Sequence, residues 1–175
     1  MLTSGLRTVV VMPFRNTNLR FSVAEQIRYS FAEERKKLIL AVKDLSEAMT
    51  REAIELNGWS VHDILAHRLF WERREVEALT QYLYGQRIEL LDFPIRYIDG
   101  ANRGAVKALD SQSTKRIIGK LISTRDELNG LVVEIEDVAL NQRDDNARAV
   151  LGVAIEHDRE HCTQILQWRQ ENLLS

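Results

Sequence analysis

The sequence predicts an all-α four-helix bundle, and three observations carry that reading. Apolar residues recur at helical spacing through four long segments. Only two prolines and eight glycines punctuate the 175 residues. The main body contains no stretch that alternates apolar and polar residues as a half-buried strand does. A chain of this length makes one domain the natural expectation, large enough to bury a substantial core. That domain is expected over residues 23–175, behind a non-bundle leader of residues 1–22.

Within the leader, Leu6 to Phe14 reads LRTVVVMPF, β-rich and apolar, with Arg7 near its start. It lacks both the longer apolar stretch and the small-residue cleavage site of a signal peptide. It is read as a disordered leader, or as a short strand packed on the domain or on a partner.

The first helix is expected to open at Ser22, with Glu25 three residues on completing a capping box. Val23, Ile27, Phe31, Leu38, Val42, Leu45 and Met49 then step by three, four or seven, which carries the stripe to about Thr50. Ser60 and Asp63 repeat the capping arrangement for a second helix, whose stripe is Val61, Leu65, Leu69, Val76, Leu79 and Leu83. Gly85 ends it. Residues Gln86 to Ala101 look irregular, with Asp92, Pro94, Asp99 and Gly100, and a short helix is expected over Asn102 to Leu109. Ser113 caps a third long helix with Ile117, Leu121, Leu128, Leu131, Val132 and Ile135 on its apolar side, although Gly119 and Gly130 weaken its continuity. The run NQRDDN, Asn141 to Asn146, is the next loop, and the fourth helix spans about Ala147 to Asn172. Four amphipathic helices of this length pack as a bundle.

Composition excludes several partners. The net charge of −2 and the pI near 6.1 leave no basic footprint for nucleic acid. No apolar run approaches the roughly 18 to 20 residues that span a bilayer. Cys162 is the single cysteine and cannot form an internal disulfide, which fits a reducing cytoplasm, the expected location.

Chemistry concentrates in IEHDREH, Ile155 to His161, which holds two of the four histidines. At about 100° per residue, His157 and His161 lie roughly 40° apart on one helix face, where two imidazoles can reach a single ion. They share that face with Val150, Val153, Ala154, Gln164 and Trp168, so the pair interrupts a largely apolar seam. A shared metal and a solvated or hydrogen-bonded pair both remain open on spacing alone. The motif is not the H-E-x-x-H of zinc peptidases: Asp158 follows His157 and Glu160 precedes His161, so the usual general base is missing. Asp158 and Glu160 are expected to hold imidazole nitrogens or to face solvent. A third ligand could come from His62 or His67. His67 shares its side with Ile64 and Trp71 at the margin of the apolar stripe, whereas His62 reads as an exposed first-turn residue. Cys162 reads as a small buried hydrophobe, and Trp59, Trp71 and Trp168 as core or interface aromatics.

The blocks GWSVHDILAHRLFWE, Gly58 to Glu72, and IEHDREHCTQILQW, Ile155 to Trp168, resemble the DinB-like superfamily, with the ClbS/DfsB-type group as the closest flavour. The matching positions are Trp59, Ser60, Leu65, Ala66, His67, Trp71, His157, His161 and Trp168. The resemblance implies the same bundle and a divalent metal held by His67, His157 and His161. Zinc or nickel is expected, since both accept imidazole. It also implies chemistry on a reactive small molecule of the detoxification type. Thiol transfer with a low-molecular-weight thiol is the version the superfamily favours, and hydrolysis is the version the closer group suggests. The competing expectation is a non-catalytic binding or assembly bundle, with no metal or a purely structural one. Ligation needs neutral imidazole, so metal loss is expected as pH falls toward about 5 to 6. Helix-packed domains with spare apolar surface commonly pair symmetrically, so a homodimer is expected.

Overall fold

Each serine expected to start a helix does so. Ser22 Oγ accepts the Glu25 backbone N–H at 3.1 Å while the Glu25 carboxylate accepts the Ser22 N–H at 2.7 Å. Ser60 and Asp63 exchange the same pair at 3.2 and 2.9 Å. Ser113 Oγ accepts the Arg116 N–H at 3.3 Å. These bonds satisfy backbone donors that the first turn of a helix otherwise leaves unpaired.

The computed structural model describes residues 21–52, 58–135, 139–140 and 146–173. They form α1 (Val23–Val42), the four-residue α2 (Glu47–Thr50), α3 (Val61–Leu83), α4 (Ile98–Leu109), α5 (Thr114–Glu134) and α6 (Asn146–Leu173). Two 3-10 turns, Glu89–Asp92 and Ile95–Tyr97, lead into α4. No strand occurs among the described residues. The expected strand over Leu6 to Phe14 lies outside them, as does most of the NQRDDN loop.

The four long helices close a ring. α1 packs on α6, α6 on α3, α3 on α5, and α5 back on α1, while α4 lies against α3. This is the all-α bundle that the periodicity predicts.

Two boundaries differ from expectation. The first helix ends at Val42 rather than near Thr50. Asp44 adopts φ +66, a left-handed conformation that α-helix cannot continue through, and Ser46 recaps the chain for α2. The apolar spacing survives the break because Leu45 and Met49 still pack on the same core. The short helix α4 begins at Ile98, four residues before the expected start. At the end of α3, Gly85 takes φ +64, the left-handed terminus that glycine accepts without a Cβ penalty.

The core is layered. One apolar cluster contains Ile27, Phe31, Val76, Leu128 and Ala154, among others. A second contains Leu38, Leu65, Leu69, Leu121, Cys162 and Ile165. On every long helix a buried charge falls between them: Arg35 on α1, Glu72 on α3, Arg125 on α5 and Asp158 on α6.

Candidate metal centre

The trio is assembled by two helices of the ring. α3 presents His67 and α6 presents His157 and His161, one turn apart on the side that faces α3. Their ring centroids stand 4.8 to 5.1 Å apart. One nitrogen from each ring lies within 4.8 Å of the others, and the His67 and His157 Nε2 atoms approach to 2.9 Å. Three nitrogens held tetrahedrally at zinc distances stand roughly 3.3 Å apart, within the range these rings span.

The donor set suits a divalent cation. His67 and His161 are buried and His157 is half-buried. His161 Nε2 is enclosed with no hydrogen-bond partner, an arrangement that is costly for an ordinary buried polar atom. Burial pushes the His67 pKa down to about 2, assisted by neighbouring His161 and the Arg68 cation. Burial likewise lowers His161 to about 4, against a hydrogen bond that the ring donates to the Gln164 amide oxygen and that favours the protonated form. His157 is pushed well below its ordinary value by burial, then by His161, Arg68 and His67. All three rings are therefore neutral at pH 7, the form that ligates metal.

Around His67 the walls are aromatic. The Trp59 ring meets it edge-on at 5.0 Å, Trp71 stands 6.3 Å away, and Phe93 packs 5.5 Å from Trp71. Trp168, by contrast, is buried in the apolar core. Tyr84 and Tyr97 are exposed.

Two expectations at single residues fail. His62 is not exposed but buried, with Nδ1 3.1 Å from Thr114 Oγ1, far around α3 from His67. Burial, then the Arg51 cation, lower its pKa. The first turn of α3 is covered because Thr114, at the start of α5, and Thr50, at the end of α2, close over it with a 2.8 Å bond between their hydroxyls. Asp158 neither holds an imidazole nor faces solvent. It accepts from Arg68 Nε at 2.6 Å, Arg35 Nε at 2.9 Å and Arg125 Nη2 at 3.0 Å. These three cations hold its carboxyl well below the usual range even though burial alone would raise it. Glu160 is exposed, as one of its two expected placements. Cys162 is buried beside Ile165 and Trp168, and burial raises its thiol pKa.

The arginines and their acids form one network directly beneath the trio. Glu72 accepts from Arg35 Nη2 at 2.9 Å and Arg125 Nε at 2.6 Å, and Glu75 accepts from Arg68 at 2.9 Å. Three guanidiniums thus meet three carboxylates. Burial opposes the Arg68 charge, but Glu75, Glu72 and Asp158 outweigh it and raise its pKa. Sequence reading missed this layer, although a signal existed. Arg35 follows Phe31 by four and precedes Leu38 by three, and Arg125 stands likewise between Leu121 and Leu128. A charge sitting on the apolar stripe marks a buried ion pair.

Fold and site together define an all-α bundle with a three-histidine cluster between two of its helices. The chain belongs to the DinB superfamily, whose family model matches residues 30–165, a span that includes all three histidines. Members of this superfamily often bind metal. No curated protein matches the sequence. No helix among the described residues is long and apolar enough to cross a membrane.

Proposed function

We propose that this protein is a cytoplasmic, metal-dependent enzyme of the ClbS/DfsB type that uses His67, His157 and His161 to hold one divalent ion and acts on a reactive small molecule. The observation that carries the reading is the buried, unpartnered Nε2 of His161 beside the converging nitrogens of the other two rings. His67, His157 and His161, as neutral imidazoles, would hold a divalent ion, which when bound would supply the positive charge that makes a thiol or water a better nucleophile.

The chain's own residues favour thiol transfer over hydrolysis. Asp158, Glu72 and Glu75 are each held by buried arginines, so none of these carboxylates is free to serve as a general base. A thiol, with an ordinary pKa far below that of water, depends less on such a base. Trp59, Trp71 and Phe93 make the wall beside His67 apolar, which suits an electrophile of low polarity and limits water.

Protein purified without a histidine tag should carry close to one zinc or nickel per chain by elemental analysis. When incubated with electrophilic acceptors, it should consume a low-molecular-weight thiol only while loaded. Protein that carries no metal and accepts none on titration would end this reading.

A further inference from the structure

Asn102, on α4, touches the trio although it belongs to no bundle helix. Its side-chain oxygen lies 2.9 Å from the Trp71 indole Nε1 and 3.1 Å from His67 Nδ1. The indole N–H can only donate, so the Asn102 atom facing it must be the amide oxygen. That oxygen can only accept, so His67 Nδ1 must carry the proton. The lone pair of His67 is then on Nε2, the nitrogen turned toward His157 at 2.9 Å.

We infer that Asn102 is a positioning residue: through Trp71 it locks His67 in the Nδ1–H tautomer and so assigns Nε2 as the nitrogen offered to the other two rings. The lock is built from three residues on two helices. Trp71 is four residues beyond His67 on α3, and α4 swings the amide in from the side. His161 has a parallel arrangement, with Nδ1 2.7 Å from Gln164 Oε1, so two outer nitrogens face neutral amide oxygens rather than carboxylates. His157 has no such partner, since its Nδ1 is buried and unpaired. Partners of this kind fix ring orientation, and their loss typically weakens metal binding 10- to 100-fold.

The tautomer part stands without any metal, whereas its consequence for affinity rests on the metal-binding reading above. Two measurements keep them apart. Long-range 1H–15N correlation on chelator-treated full-length protein should show His67 as the Nδ1–H form. Asn102→Ala should convert it to a mixture with Nε2–H, and Trp71→Phe should do so partially, because the amide is then free to turn. In zinc titrations against a chromophoric chelator, Asn102→Ala should bind roughly 10- to 100-fold more weakly. Asn102→Asp, which keeps an acceptor for both the Trp71 and His67 N–H groups, should bind at least as tightly as the parent protein. If Asn102→Ala does not fold, Trp71→Phe and Asn102→Asp still decide the matter. Nε2–H as the dominant form in the parent protein, or unchanged tautomer and zinc affinity in Asn102→Ala, would overturn the assignment. Failure of the parent protein to bind zinc would instead count against the metal reading, with the tautomer still decided by the spectrum.

Discussion

A ligand trio fails as a unit, because removing one imidazole leaves two donors and an enlarged, wetter opening. His67→Ala, His157→Ala and His161→Ala should each release most of the bound ion, read as metal per chain. His62→Ala should keep the metal, since His62 is bonded to Thr114 and not to the trio. Equal metal in the parent protein and His161→Ala would remove His161 from the site. The structure also moves the acid limit. Each trio ring titrates below the ordinary 6.5 in the folded chain. Between those values and 6.5 the unfolded chain binds protons that the folded chain refuses, so stability is full above about 6.5 and declines as pH falls. Proton competition within the folded site is centred near pH 4, where His161 titrates, rather than at the 5 to 6 expected for a free imidazole. Metal content after stepwise dialysis should therefore hold to about pH 5 and fall below it. Complete loss by pH 6 would mean that burial does not protect the rings.

Among the elements, α6 enters the ionic layer through Asp158, which meets guanidiniums from α1, α3 and α5, as Glu72 does from α3. Asp158→Asn should destabilise the fold by about 3–5 kcal/mol, the usual effect of breaking a buried pair from one side. Urea unfolding measures it, and a midpoint equal to the parent's would show that the layer is not coupled as drawn. The same residue shows where legibility ran out. Ser22 with Glu25 and Ser60 with Asp63 were readable because a cap is local, needing only neighbours three residues apart. The end of α1 was not, because Leu45 and Met49 keep the stripe in phase across a break made by the backbone at Asp44. The burial of Asp158 depends on three residues at least 33 positions away, a separation that no spacing along one helix reveals. His67, His157 and His161 could be grouped only by resemblance, since spacing joins two of them and leaves the choice of a third open. Asn102 lay inside the short predicted helix with nothing to single it out, because its role exists only where α4 meets α3.

At the scale of the whole molecule, two expectations follow from how the core is divided. Tyr29 and Leu40 are exposed and eleven residues apart on α1, about 20° around the helix, so they share one outward side. That side is a candidate for self-association, and light scattering should give twice the chain mass of 20.2 kDa. A mass of one chain at micromolar concentration would contradict it. The second expectation concerns metal removal. Neither apolar layer contains any of the three histidines, and the ionic layer between them is paired within the protein, save for the Arg125 Nη1 atom. The bundle thus buries its core without an ion, unlike small metal-nucleated domains that unfold when stripped. Chelator-treated protein should keep its helical circular dichroism. An ion that binds only the folded chain adds stability with the logarithm of its free concentration, about 2.7 kcal/mol at a hundredfold excess over Kd. For a chain of this size that corresponds to a Tm higher by roughly 5 to 10 °C, restored on adding zinc back. Loss of helix on chelation would make the ion part of the fold, and an unchanged Tm on reloading would place zinc somewhere other than the folded trio.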